Sequence, residues 1–306
     1  MNKMLLTICT PTYNRAYILP QLYETLCKQK GVYENFEWVI IDDDSDDNTS
    51  DLIEKWISET NRFNIKYIKQ EHGGKHRALN KAFDLAEGEY IFIVDSDDML
   101  TDNAVSLIYT WLNSIRNNNN FAGVAGLKIS KSGKTWGGKV NYKETYVDAT
   151  NFERRKYNLL GDKAEIYKTS ILRKHKFPEI PNEYFMTEDY CWMQIAALGY
   201  KIRWYNEPIY ICEYLDDGLT NSGANSIKGH KDNYIGYCLY IKKCLQLKPF
   251  TEKMIHFREY IKTAKILNKS LNDIINDIDM SFYTYFLMYI FGIPSAYLIR
   301  KLRNRI

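Results

Sequence analysis

Several common signatures are missing from these 306 residues, and each absence narrows the field. The six cysteines (Cys9, Cys27, Cys191, Cys212, Cys238 and Cys244) form no CxxC pair or other metal-ligand spacing. That argues against a disulfide framework and predicts free thiols packed as small hydrophobes in a reducing compartment. Excess charge is small, +3 overall, so no nucleic-acid partner is implied. The N-terminal apolar run ending at Cys9 is too short for a signal-peptide core and leads directly into Pro11-Thr12-Tyr13-Asn14-Arg15. It reads as a strand, and the protein as cytosolic-facing. No Gly/Ser-rich linker or internal repeat is present, so 1–220 is expected to be one domain and 221–306 a helical extension.

The most informative feature present is Asp95-Ser96-Asp97-Asp98, directly after the apolar run Tyr90–Val94. Carboxylates gathered at a strand end suit a hard divalent cation that shares its shell with phosphates. They equally suit a helix cap, with Asp98 as N-cap of a helix over 99–112. The surrounding pattern alternates strand and helix. Strands are predicted at 4–10, 36–41, 64–68 and 90–94, and helices from Asn14 as N-cap to about 29, at 51–59 and at 75–86. This alternation predicts a mostly parallel sheet covered by helices on both faces, with ligands at the carboxyl ends of its strands. Three such ends carry chemistry: Pro11-Thr12-Tyr13, Asp42-Asp43 and Asp95-Ser96-Asp97. Further on, a strand is expected over 121–130, a helix over 190–198 opened by Thr187-Glu188-Asp189, and two short strands at 202–205 and 208–214.

The last third reads as helical, at 231–247 and 251–268. Residues 280–299 contain no charge and are followed by Arg300, Lys301, Arg303 and Arg305. About 20 such residues are long enough to cross a bilayer. However, Gly292, Pro294 and four tyrosines favour the interface, where a basic cluster also attracts anionic lipid. Peripheral attachment to the cytoplasmic membrane face, a true span, and a buried or oligomer-forming helix all remain open. The 25 tyrosines fit sugar binding or an interfacial location, and equally a codon bias.

Taken together, Pro11-Thr12-Tyr13-Asn14-Arg15, Asp42-Asp43-Asp44-Ser45, Asp95-Ser96-Asp97-Asp98 and Thr187-Glu188-Asp189 resemble glycosyltransferase family 2, over about residues 4–214. The resemblance implies the GT-A fold, a Rossmann-like α/β sheet flanked by helices. It implies inverting transfer of a hexose or N-acetylhexosamine from a UDP-sugar to a lipid-linked or cell-surface glycan, with Mn2+ or Mg2+. Asp42 and Asp43 would read the uracil edge, with Pro11, Tyr13 and Arg15 beside base and phosphate. Gly74, Lys75 and Asn80 would meet the diphosphate and donor sugar, where helix-start N–H groups suit anions. Asp97, with Asp95, would hold the metal, and Asp95 and Ser96 the ribose. Asp162 would reach donor or acceptor, and a loop over 216–220 would close on the nucleotide. Asp189 would be the general base with Glu188 orienting substrate, since a hydroxyl nucleophile needs a base within hydrogen-bond reach.

Each assignment has a plainer counterpart. Tyr13 would be core, Arg15 a solvated first-turn residue, Asp46 and Asp47 helix caps, and Thr187-Glu188-Asp189 a capped helix start. Asp44 departs from the family, which usually has Gly there. Two rivals stand beside this reading: a nucleotidyltransferase, which would want a Gly-rich basic loop after the first strand, and a non-catalytic sugar- or nucleotide-binding membrane scaffold.

Overall fold

In this computed structural model, residues 4–29, 36–60, 62–137, 145–213, 223–224, 226–292 and 294 are described. The chain forms two compact units: Met1–Phe177 with Leu198–Tyr214, and Pro178–Ala197 with Leu215–Ile306. Residues 178–197, expected inside the α/β domain, therefore group with the C-terminal helices.

The first unit is built on one nine-stranded sheet. Its strands are β1 (Leu6–Thr12), β2 (Phe36–Asp42), β3 (Asn64–Lys69), β4 (Tyr90–Ile93), β5 (Met99–Leu100), β6 (Phe121–Ile129), β7 (Tyr146–Ala149), β8 (Lys163–Lys168) and β9 (Lys201–Ile211). Their order is β3-β2-β1-β4-β8-β6-β9-β5, with β7 also on β9. The β3-β2-β1-β4 half is parallel, as the alternating pattern predicts. In the other half β8 runs antiparallel to both β4 and β6, so the sheet is mixed. Strands β1 and β2 are buried along their whole length, which is why they read as continuous apolar runs.

The helices of this unit are α1 (Leu19–Cys27), α2 (Thr49–Glu59), α3 (Lys75–Leu85), α4 (Ala104–Ile115) and α5 (Thr169–Leu172). Leu19, Leu22 and Leu26 are the buried face of α1, as expected. Three sequence expectations fail for stated reasons. Asn14 does not cap α1: it adopts φ 53°, donates its N–H to Ser45 Oγ (2.8 Å) and accepts from Asp46 N–H (2.9 Å). Pro20 stands in the first turn instead. Asp98 does not cap a helix, because residues 99–100 pair with β9 and α4 begins only at Ala104 after Asn103. The two strands expected after Gly199 are the single β9, whose register against β6 slips where Ala125 faces Trp204 and Leu127 faces Pro208. Such a bulge accommodates the proline, which has no N–H for the ladder.

The second unit contains α6 (Asp189–Ala197), α7 (Ile227–Asp232), α8 (Tyr234–Leu247), α9 (Phe250–Ile266), α10 (Leu271–Asp277) and α11 (Phe282–Leu287), then a π-helical turn over Met288–Gly292. Its core joins Tyr237, Cys238 and Ile241 of α8 to Phe257, Tyr260 and Ile261 of α9 and Ile274 of α10. Among the described residues no helix is long and apolar enough to cross a membrane. The uncharged stretch is broken at the π turn, where a Cβ on Gly292 would lie 2.5 Å from Met254 Sδ. Phe282, Tyr283, Phe286 and Phe291 are exposed. The cationic tail and the 216–220 loop lie outside the described residues.

Candidate active site

The carboxyl ends of β1, β2 and β4 lie side by side at one sheet edge, because these strands are parallel and in register. Strand β8, antiparallel to β4, starts at that same edge, so Asp162 precedes it there, with an exposed side chain. Glycine at 161 is required: φ is +70° and a Cβ would lie 2.4 Å from Gly137 Cα.

Tyr13 is 46% exposed, which excludes the core reading, and its ring lies 4.6 Å from that of His72. His72 Nδ1 is 3.0 Å from Asp43 Oδ2. Asp43 also accepts from the N–H groups of Gly73 (2.9 Å) and Gly74 (2.7 Å) and from Gln70 (2.8 Å). Asp42 is fully buried, with Oδ1 accepting from Ser45 N–H and Oδ2 from the Tyr67 hydroxyl. Both carboxylates thus hold the edge together, and Asp43 shapes the Gly73-Gly74 turn. Asp44 has φ 75°, the left-handed region that favours glycine, which is the physical reason a Gly suits this position. The helix cap expected at Asp46 and Asp47 falls on Asn48 instead; Asp47, one residue earlier, accepts from Thr49 N–H (3.0 Å) and Ala16 N–H (3.0 Å).

From the glycine turn, α3 starts with Lys75, whose Nζ reaches Asp95 Oδ1 at 2.6 Å. Burial opposes ionisation of Asp95, but the Lys75 and Lys128 ammonium groups outweigh it and hold its pKa below the usual carboxylate range. Asp97 behaves oppositely: burial and the Asp95 charge raise its pKa, with Arg15 and Lys75 opposing. Asp98 is buried and pushed up to about 7, by burial first and Asp95 next. Its Oδ2 accepts from the Tyr210 hydroxyl (2.7 Å), which itself accepts from Asp95 N–H (3.0 Å). The buried Tyr210 of β9 therefore pins both ends of the acidic turn. Ser96, also buried, sits within it.

Among the described residues no three His, Cys, Asp or Glu side chains form a metal cluster. The turn does offer two carboxylates, as many as Mg2+ takes from a protein when phosphates complete its shell, so Asp95 and Asp97 fit such an ion. Asn80 does not join this edge. Its amide is buried and closed onto Phe177, donating to the carbonyl and accepting from the N–H, both at 2.9 Å. Pro11 is buried in β1. Lys128 and Tyr210 were not singled out in the sequence: each stands near the end of a distant strand, and the pairing of β9 with β5 and β6 brings them to the acidic turn.

In the second unit Asp189 is the first residue of α6, with its side chain 40% exposed. Its Oδ2 accepts from the Tyr240 hydroxyl (2.9 Å) and pairs with Lys248 Nζ (2.7 Å). Glu188 accepts as a backbone carbonyl from Cys191 N–H (3.0 Å), so the pair does open the helix as a capped start would.

The model of Glycosyl transferase family 2 matches residues 7–180, more than half of the chain. The chain belongs to glycosyltransferase family 2, which sets the nucleotidyltransferase reading aside. The glycosyltransferase GlyG of Streptococcus pneumoniae is 35% identical over 106 residues, 34% of each chain. TarS of Staphylococcus aureus, a poly(ribitol-phosphate) beta-N-acetylglucosaminyltransferase, is 28% identical over 181 residues, 58% of this chain and 30% of that one. A GalNAc(5)-diNAcBac-PP-undecaprenol beta-1,3-glucosyltransferase of Campylobacter jejuni is 26% identical over 196 residues, 62% of this chain and 59% of that one. The chain thus spans about a third of GlyG and TarS. The solved structure of TarS 1–349 with UDP-GlcNAc has a TM-score of 0.63 at 24% identity, covering 90% of this chain and 79% of that one, and establishes the GT-A fold.

Proposed function

We propose that the protein transfers a sugar from a UDP-sugar, with inversion, to a hydroxyl of a lipid-linked or cell-surface glycan. The observation that carries this is the continuous run at one sheet edge from the exposed Tyr13 ring through His72, Asp43 and the Gly73-Gly74 turn to Lys75, Asp95 and Asp97. Tyr13 would take the base face, Arg15 and Lys75 the diphosphate, and Asp162 the sugar. Asp42 and Asp43 would read the uracil edge, Asp43 also holding the Gly73-Gly74 turn. Asp95 and Asp97 would hold Mn2+ or Mg2+, which would neutralise charge growing on the departing diphosphate. TarS and the Campylobacter relative are named for β-linked products, and an α-linked donor such as UDP-GlcNAc gives a β product by inversion.

Inversion calls for attack opposite the leaving group, assisted by a base, and Asp189 is assigned that role with Glu188 as orienter. The acceptor O–H proton passes to Asp189 as oxygen bonds the anomeric carbon. The bond from that carbon to the diphosphate oxygen breaks, and its electron pair leaves with UDP. The exposed aromatic residues of α11 would rest at the cytoplasmic membrane face, near a lipid-linked acceptor. The test is UDP release from UDP-GlcNAc and UDP-glucose with Mn2+, with and without membrane lipids. Asp97→Ala should abolish release while melting normally. Equal release by that variant with divalent ions chelated would refute the assignment.

A further inference from the structure

The segment bearing Asp189 is attached to α8 at three points. Asn233 Oδ1, just before α8, accepts from Tyr184 N–H (2.8 Å) and Phe185 N–H (2.9 Å). The buried Glu183 carboxylate accepts from Ile235 N–H and Gly236 N–H, both at 2.7 Å, in the first turn of α8. The third attachment is Asp189 itself, through Tyr240 within α8 and Lys248 at its C-terminal cap. Both donors meet the same oxygen, Oδ2. Among the described residues Oδ1 has no partner, and the carboxylate is 40% exposed where Lys248 is 9% exposed.

We infer that Lys248 and Tyr240 are positioning residues for the transfer: they lock Asp189 through Oδ2 and present Oδ1 to the acceptor hydroxyl. This role presupposes Asp189 as the base. The titratable groups around it are Tyr240, Cys244 and Lys248 of α8 and its cap, Glu252 and His256 of α9, and the adjacent Glu188. Glu252 lies 3.7 Å from Lys248 Nζ and shares its charge. His256, edge-on to Tyr240 at 5.6 Å, is pushed down to about 4 by burial and by Lys248, so it stays neutral near pH 7. Burial pulls the Lys248 pKa down, but Asp189 outweighs it and holds the ammonium above its usual range. The fixed cation holds the carboxylate through Oδ2. It also removes the rotamer freedom that would scatter Oδ1, and misplacement of a reacting group by about 1 Å can cost roughly 100-fold in rate.

The experiment measures UDP release by the full chain from UDP-GlcNAc and UDP-glucose, water serving as acceptor, across pH 5–9. Calorimetric UDP binding and thermal melts accompany it. Lys248→Met should lower kcat about 10- to 100-fold with KM and UDP affinity unchanged. Lys248→Arg should recover most of the rate, and Tyr240→Phe should lower kcat with KM and UDP affinity unchanged. If Lys248→Met does not fold, the Arg and Phe variants carry the test. An Asp189→Asn variant that still turns over, or a wild type that releases no UDP, overturns the underlying base or donor reading. Loss of turnover in Asp189→Asn together with a wild-type kcat in Lys248→Met and Tyr240→Phe overturns the positioning role alone.

Discussion

Replacing Tyr210 with Phe removes one oxygen and leaves the ring. The ring keeps its edge-to-face contact with Phe92 (5.9 Å) and its place under the Lys128 ammonium (4.2 Å). What is lost is the hydroxyl that accepts from Asp95 N–H and donates to the buried Asp98 carboxyl. Each group so stranded costs about 1–3 kcal/mol, so the expected loss is about 3 kcal/mol. For a domain of this size that is a fall in Tm of roughly 10 °C. The acidic turn also loosens where Asp95 and Asp97 are proposed to face the donor, so on that reading kcat/KM for the UDP-sugar should fall at least ~10-fold. Urea and thermal melts measure the first effect and UDP release the second. In an Asp98→Asn background the same change should cost about 1 kcal/mol less, because the two sites share the bond. A single-variant loss under about 1 kcal/mol, or equal losses in both backgrounds, would refute the assignment of Tyr210 as the pin of this turn.

Three further expectations concern other parts of the chain. Gly236→Ala would place a Cβ 2.9 Å from Glu183 Oε2 and 3.1 Å from Met186 Cε. It should therefore destabilise the helical unit by about 1–3 kcal/mol in a urea melt; an unchanged midpoint would show that the Glu183 contact yields freely. Lys163 is buried and pushed down to about 8, by burial first and Arg154 next. Its folded pKa lies below its unfolded value, so the unfolded chain binds more protons between pH 8 and 10.5 and stability rises with pH there, by up to about 3 kcal/mol. The stability difference between wild type and Lys163→Met should shift in favour of wild type from pH 7.5 to 10, and a constant difference would contradict this. Asp44→Gly should leave stability within about 1 kcal/mol of wild type, since relief of the left-handed backbone offsets glycine's freedom in the unfolded chain; a larger loss would mean that Asp44 stabilises through its side chain.

The parallel half of the sheet was legible because each of its strands is a short apolar run followed by an amphipathic helix, and both periods are local. The antiparallel half was not, since pairing of β8 with β4 and β6 depends on contacts far apart in sequence. Similarly, residues in compact motifs could be placed together: Tyr13, Lys75, Asp95 and Asp97 lie at one edge. Asn80 was misassigned because an Asn early in a helix after a glycine turn looks the same whether it faces a ligand or closes on Phe177. Asp98 was misread as a cap because two residues of strand intervene before α4. Tyr210, Lys128, Tyr240 and Lys248 carry no local signal at all; their meaning is set by a partner between 33 and 115 residues away.

The chain passes out of the sheet unit at Phe177, makes α6, and re-enters at Leu198. A protein cut after 214 would retain every strand and the whole acidic turn, yet Glu183 would lose the two N–H groups of α8 and Asp189 both of its donors. Under the proposed function, such a fragment would keep the donor-binding edge but carry an unsupported base. Recognition of the donor and its consumption would then be written into different stretches of one polypeptide. The helical stretch could drift toward new acceptors while the sheet edge was left untouched.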